Sequence, residues 1–317
     1  MNQDQEIKTF GDFWQDTVEC WKRLPNKAFF FILLAGWLIL FQFLGNSILG
    51  YIHTPSLFSW MSEAYNSPNP AADDGHGDFI PLLVLGIFWW KRHELLDSRF
   101  RLWLPGLVIL IFAMLLHVLA YTVQEPHFSI IALFLGIYGM MGMAWGPDWL
   151  RKSFFPFFLF VFSVPLGTHA TIITFPLRML VTWLVEVTSH VFGISVVRAG
   201  TQLFDPSGQF QYDVAPACSG IRSLVAIFLL ATVYGFFMFR STWKRVFFMA
   251  LAFPFAVLGN MVRLLLIIVA AVIGGQKWGD FVHENWFTSM VPYIPAFVGI
   301  LAIGHWLEKS EAKPDKK

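Results

Sequence analysis

"VFFMALAFPFAVLGNMVRLLLIIVAAVI", residues 246–273, carries one charged side chain, Arg263, in an otherwise apolar run. A helix needs roughly 20 mainly apolar residues to cross ~30 Å of hydrocarbon, so this run is long enough to span a bilayer. Arg263 has apolar neighbours for a turn or more on both sides. A charge at that depth is costly and belongs against a protein interior, where it either pairs structurally with a carbonyl or carboxylate or serves a reaction. Asn260, three residues earlier on the same helical face, is placed to help fix it.

The rest of the chain repeats the apolar pattern. Of its 317 residues, 56% are hydrophobic and only 14% charged, with 35 Phe and 14 Trp. A soluble domain is closer to ~25% charged, so the composition is that of a bilayer protein. Seven further runs read as spans: 28–50, 79–90, 103–123, 128–146, 154–172, 219–239 and 287–306. The second is short, and Pro156 and Pro165 interrupt the fifth. The expected fold is an all-α membrane protein of about eight transmembrane helices. It divides into an N-terminal segment 1–27, one multispanning catalytic domain 28–306, and a basic tail 307–317. The first 25 residues are polar and mixed in charge, unlike a cleavable signal peptide, so the first span is expected to insert the protein itself.

A formal net charge of +1 and the lack of a basic stripe with interleaved aromatics exclude nucleic acid as a partner. The sequence has no His-Glu-x-x-His, no cysteine pair at ligand spacing and no glycine-rich phosphate loop, so neither a metal nor a cofactor is expected.

Lysine and arginine placement orients the spans. With the N-terminus inside, 17 of the 22 Lys and Arg residues fall on the cytoplasmic side, and only Arg178, Arg198 and Lys277 fall outside. Arg222 and Arg263 lie within spans. Both termini are then cytoplasmic, and the 51–78 loop, which has no Lys or Arg, faces out. The same topology separates the two cysteines: Cys20 is inside, and Cys218 opens span six at the outer face. They cannot pair within one chain, so Cys218 is an unpaired thiol facing an oxidising compartment.

Residues 168–217 form the longest stretch that does not span. In "TFPLRMLVTWLVEVTSHVFG" (174–193), Arg178, Thr182, Glu186 and His190 recur every four residues on an otherwise apolar helix. Such a narrow polar stripe suits an amphipathic helix lying at the outer membrane interface. "ISVVRAGTQLF" (194–204) and "QFQYDV" (209–214) read as two strands of a short β-hairpin around the turn "DPSG" (205–208). Tyr212 and Asp213 are read as ordinary hairpin polarity. The hairpin lies between spans five and six and leads into Cys218.

Cys218 is followed four residues later by Arg222, on the same face of a helix. A helix start and a nearby cation both lower a thiol's pKa, which suits a nucleophile; a small residue at a helix start is the plainer alternative. "GGQKWGDFVHENWF" (274–287) then brings His283 to the outer end before the last span. His53, His76, His127, His169 and His190 are on the same side, but span seven connects His283 directly to Arg263. A thiolate, an imidazole base and a guanidinium for the oxyanion make a workable set for acyl transfer, with Asp280 and Glu284 close enough in sequence to orient the imidazole.

At these residues the chain resembles the exosortase/archaeosortase family of multispanning cysteine transpeptidases. The matching elements are "CSGIRS" (218–223), "NMVR" (260–263) and His283, with "HGDFIPLLVLGIFWWKRHELL" (76–96) as the early short span and basic loop. The resemblance covers residues 76 to 306 or thereabouts. It implies catalysis by Cys218, Arg263 and His283, supported by Arg222, Asn260, Ser219 and Gly220. It also implies substrates that are exported, membrane-anchored proteins with a C-terminal sorting signal of the Pro-Glu-Pro type (PEP-CTERM-like). Processing would occur at the outer face of the bacterial inner membrane, with transfer to an amine or glycolipid acceptor, in cells that often make exopolysaccharide. The chain ends soon after span eight, so the extra periplasmic domain of some members is not expected.

Two alternatives stand beside this reading. One is an intramembrane cysteine protease that only hydrolyses, because access to the thioester decides the acceptor. The other is a non-enzymatic export or transport component in which Arg263 contacts an anion. That second alternative predicts inverted repeats, and the sequence has no internal repeat.

Overall fold

A computed structural model describes residues 10–67, 74–166, 170–213, 221–285, 287–288 and 291–312. Contacts divide the chain into two compact units, Met1–Asn66 with Gly75–Pro165, and Ser67–Asp74 with Leu166–Lys317.

The first unit begins with α1 (Phe10–Arg23), α2 (Lys27–Leu44), α3 (Leu57–Tyr65) and a 3-10 turn at Gly75–Asp78. There follow α4 (Ile80–Trp90), α5 (Arg92–Leu96), α6 (Pro105–Val123), α7 (Pro126–Trp145), α8 (Pro147–Phe158) and a 3-10 turn at Leu159–Ser163. Proline opens α6, α7 and α8, where its missing N–H has no intrahelical partner to lose. The core of the unit lies among α2, α6 and α7. A Cβ on Gly106 would stand 2.7 Å from Gly139 O, and one on Gly139 would stand 3.0 Å from Gly106 O. The α6 and α7 backbones therefore meet at a glycine pair, the close approach that stabilises helix pairs in membranes. Trp37 Nε1 donates to Leu133 O at 3.0 Å, tying α2 to α7. Inside α6, His117 has Ser129 Oγ at 3.2 Å and Leu44 O at 3.1 Å, so both ring nitrogens are engaged.

The second unit holds α9 (Ala170–Val191), β1 (Val197–Ala199), β2 (Gln202–Phe204), β3 (Gln211–Asp213), α10 (Ile221–Met238), α11 (Thr242–Gly274) and α12 (Gln276–Glu284). A 3-10 turn at Val291–Tyr293 leads into α13 (Ile294–Ala312). Helix α11 is its axis: Val257, Leu264, Ile267, Ile268 and Ala271 pack with Leu177, Val181 and Val185 of α9. On the other side Phe248, Ala252 and Ala256 pack with Ile227 and Ala231 of α10 and Ala296 and Ile300 of α13.

Among the described residues, five stretches are long and apolar enough to cross a bilayer: α2, α6, α7, α11 and Val291–Ser310. The chain is thus an all-α multi-pass membrane protein with one small sheet. The other expected spans differ in form. Run 79–90 is the 11-residue α4, about 16 Å long and too short to cross alone. Run 219–239 becomes the 18-residue α10. Run 154–172 is not one helix: α8 ends at Phe158, and Val164 is extended at φ −80°, ψ 113°. Val164 precedes Pro165, and the proline ring disfavours helical backbone at the residue before it. The first span stops at Leu44 rather than running to 50, because Asn46 turns the chain, its N–H donating to Pro55 O at 3.0 Å.

The expected two-stranded hairpin is a three-stranded antiparallel sheet in the order β1-β2-β3. Ala199 pairs with Gln202, so "VRAGTQLF" contains its own two-residue turn at Gly200–Thr201, where Gly200 takes φ +65°. Glycine supplies the positive φ that such hairpin turns require. At the second turn, Gly208 N–H donates to Asp205 O at 2.9 Å. The Asp205 carboxylate accepts from the N–H of Ser207 and of Gln209, each at 3.2 Å.

Candidate functional site

Of the candidate residues, Arg222, Asn260, Arg263 and His283 lie on α10, α11 and α12 of the second unit. Cys218, Ser219 and Gly220 lie outside the described residues, as does the side chain of Arg222, whose backbone forms the first turn of α10.

The pairing of Arg263 with His283 follows from one turn. Gly275 takes φ +75°, a left-handed conformation suited to glycine, and α12 starts at the next residue. The helix folds back against α11, so that a Cβ on Gly279 would stand 3.0 Å from Ala271 Cβ. His283 lies one turn further along α12, near enough for the Arg263 charge to act on it. Burial lowers the His283 pKa, and the positive charge of Arg263 lowers it further; the Glu284 and Asp280 charges oppose the shift. The imidazole is therefore neutral at neutral pH and competent to accept a proton.

Arg263 Nε is shielded from solvent and has no hydrogen-bond partner among the described residues. Asn260 is fully buried, and its Oδ1 accepts from Tyr293 Oη at 3.4 Å. This hydrogen bond reaches the turn that begins the last span.

The sheet is fastened to α12 by Gln211 and Gln276, which the sequence did not single out, and by Tyr212, read from the sequence as ordinary hairpin polarity. Gln276 accepts from Gln211 N–H at 3.0 Å through Oε1 and donates to Gln211 O at 3.4 Å through Nε2. The same amide nitrogen donates to Asp280 Oδ1 at 3.0 Å. Tyr212 Oη donates to Gln276 O at 3.2 Å and packs against Gly279. Burial, the Asp280 charge and a hydrogen bond to Asp280 push the Tyr212 pKa up to about 12. Strand β3, five residues before Cys218 in the chain, is thus locked to the helix that carries His283. The clue in the sequence was Gly279 itself, a small residue inside a polar helix facing a tyrosine.

The polar stripe of α9 also has a partner other than the membrane interface. Glu186 accepts from Arg198 N–H at 3.1 Å and Arg198 Nε at 3.3 Å. His190 Nε2 lies 2.8 Å from Val196 O, and Thr182 Oγ1 donates to Gly200 O at 3.4 Å. The stripe docks the sheet, while Phe175, Leu180, Trp183 and Val187 remain exposed on an apolar face. Arg178 stands over the Phe175 ring at 5.7 Å.

Compared with known families, residues 60–301 match the model for transmembrane exosortase (Exosortase_EpsH). No curated protein and no solved structure matches the chain. The matched stretch is well over half of the 317 residues and includes every candidate site residue.

Proposed function

The chain belongs to the transmembrane exosortase family, and from that premise we propose that it is a cysteine transpeptidase that removes C-terminal sorting signals from membrane-anchored exported proteins. Residues 28–306 act as one catalytic domain in the bacterial inner membrane, with both termini cytoplasmic and the site at the outer face. The observation that carries the proposal is the turn at Gly275, which packs α12 with its half-buried His283 against α11, the helix of Arg263. Cys218 stands five residues after the strand clamped to the His283 helix and three before α10.

In the first half-reaction His283 takes the Cys218 thiol proton, and the sulfur attacks the scissile carbonyl carbon. Arg263 receives the oxyanion that develops on the carbonyl oxygen, and Asn260, fixed by Tyr293, braces the helix turn that presents it. The C–N bond then breaks, the departing amine takes the proton from His283, and a thioester remains on Cys218. In the second half-reaction an acceptor amine attacks the thioester, giving its proton to His283, and the thiolate leaves and is reprotonated. Ser219, Gly220 and Arg222 shape the surroundings of the thiol, where the start of α10 and a cation both favour thiolate. The substrate signal is of the PEP-CTERM type, a short motif followed by an apolar helix and a basic tail. The basic tail would rest on the cytoplasmic side while the motif reaches the outer site.

The test is co-expression of the full chain with a tail-signalled substrate. Wild type should yield the shortened substrate and a trappable thioester, whereas Cys218→Ala, Arg263→Ala and His283→Ala should not. Undiminished processing by Cys218→Ala would refute the proposal, and a thioester consumed only by water, whatever amine is added, would convert it to a hydrolase.

A further inference from the structure

At the N-terminal end of the first unit, three side chains of different donor chemistry converge with no role in the chemistry proposed above. Asp16 and Cys20 are one turn apart on α1, with Cys20 Sγ 3.9 Å from Asp16 Oδ1. His93, on the short helix α5, brings Nε2 to 3.5 Å from the same Oδ1. One ligand atom from each residue lies within 4.8 Å of the others. His93 Nε2 is shielded from solvent and has no hydrogen-bond partner among the described residues.

These separations are long for direct hydrogen bonds. The 3.9 Å and 3.5 Å separations are close to the spacing around a tetrahedral zinc, whose bond lengths put neighbouring sulfur, nitrogen and oxygen ligands about 3.3–3.8 Å apart. We propose that Asp16, Cys20 and His93 form a binding site for a thiophilic divalent cation of the zinc class, with one coordination position open. Neutral imidazole, thiolate and carboxylate together balance a divalent charge, and the set contains the nitrogen and sulfur donors that such ions prefer over magnesium or calcium.

The surroundings match those of a metal site beyond its direct ligands. Arg92 Nε holds the other carboxylate oxygen, Asp16 Oδ2, at 2.5 Å, leaving Oδ1 for the cation. Arg92 is itself fixed by Nη1 donating to Trp89 O at 3.0 Å and by stacking 4.2 Å above the Trp89 ring. Phe13 packs on that ring at 4.5 Å. A cavity of about 260 Å³ adjoins Cys20, walled by Trp21, Leu24, Phe88 and Trp149 among others, which gives the site a low-dielectric flank. Binding displaces the thiol proton to solvent as the sulfur–metal bond forms, and it cross-links α1 to α5.

The test uses the full-length protein in detergent with Cys218→Ser, so that Cys20 is the remaining thiol. The protein is stripped with chelator, kept reduced and titrated with cobalt(II), then competed with zinc(II). The expected result is one equivalent of cobalt with the absorption of a tetrahedral, thiolate-bound ion, displaced by zinc. Cys20→Ser should abolish the thiolate-to-metal band, and His93→Ala and Asp16→Asn should each weaken binding by more than about 10–100-fold, the range seen when only supporting groups are lost. Folding of each variant is checked by circular dichroism and gel filtration. No band in the folded parent protein, or the same band in Cys20→Ser, would overturn the proposal and leave an ion-pair cluster only.

Discussion

The hydroxyl of Tyr212 on β3 occupies the space that a methyl group on Gly279 of α12 would need. A strand that leads to the candidate nucleophile is thereby registered against the helix that carries the candidate base. Three further groups hold the joint: Gln276 bonds the backbone N–H and C=O of Gln211, and Asp280 accepts from the Gln276 amide.

Gly279→Ala should therefore force the strand and helix apart. Overpacking of a filled site costs about 1–3 kcal/mol, measurable as a fall in thermal unfolding temperature in detergent. Tyr212→Phe removes the colliding oxygen, so the alanine should cost less in that background. Equal costs in the two backgrounds would show that the joint lies elsewhere. Substrate processing should fall with Gly279→Ala and recover in part in the double variant.

His283 should titrate below its ordinary value of 6.5, because burial and Arg263 both favour the neutral ring. Removing the Arg263 charge takes away one lowering cause, so Arg263→Gln should move the His283 titration upward. NMR of labelled histidine reads this without any need for activity. The depressed pKa also ties stability to pH. Above the unfolded-state pKa both states are neutral and the stabilisation is complete. As pH falls below it, the unfolded chain gains a proton that the folded ring resists, and stability is lost down to the folded pKa. The unfolding temperature of wild type should fall through this acid window more steeply than that of His283→Gln.

Legibility in the sequence followed how local the determining interaction was. The 246–273 helix was readable because 28 residues with one charge exceed the roughly 20 needed to cross a bilayer, where a helix satisfies its own backbone. A single glycine, Gly275, joins the helices that carry Arg263 and His283, but their reading as a catalytic pair still rests on the sequence. The interruption of the fifth run was legible at Pro165, whereas Pro156, read as a second break, is accommodated inside α8. "VRAGTQLF" passed for one strand because a two-residue turn leaves the apolar pattern on either side intact. The polar stripe of α9 identified a face but not its partner, and Glu186, His190 and Thr182 turned out to bond the sheet. Asp16, Cys20 and His93 were invisible to any search by spacing, since the third donor comes from a distant helix. The readings of Cys218, Ser219 and Gly220 as nucleophile and supports still rest on the sequence.

Glu186 and Arg198 give a test of how the sheet is held. The carboxylate accepts from both the backbone and the side chain of Arg198, and each partner is only 24% exposed. Hydrogen bonds to charged groups contribute about 1.5–3 kcal/mol, so Glu186→Ala should loosen β1 from α9 before the helices unfold. Limited proteolysis should then cut within 197–208 faster than in wild type. Arg198→Ala removes only the side-chain bond and should have the smaller effect; the reverse order would mean that the backbone bond contributes little.

Asn260 and Tyr293 separate a bracing role from a catalytic one. Tyr293→Phe deletes the donor and leaves Asn260 Oδ1 buried without that hydrogen bond, a cost of about 1–3 kcal/mol. If Asn260 acts by bracing the turn that presents Arg263, this variant should lower the processing rate several-fold with little change in substrate affinity. Asn260→Leu, which leaves the Tyr293 hydroxyl without its acceptor, should reproduce that split between rate and affinity. Combining the two changes removes both polar groups together, and the stability cost should then be smaller than the sum of the single costs. Full additivity in unfolding temperature would show that the two side chains do not act as a pair, and Asn260 would then have to reach the reaction through other contacts.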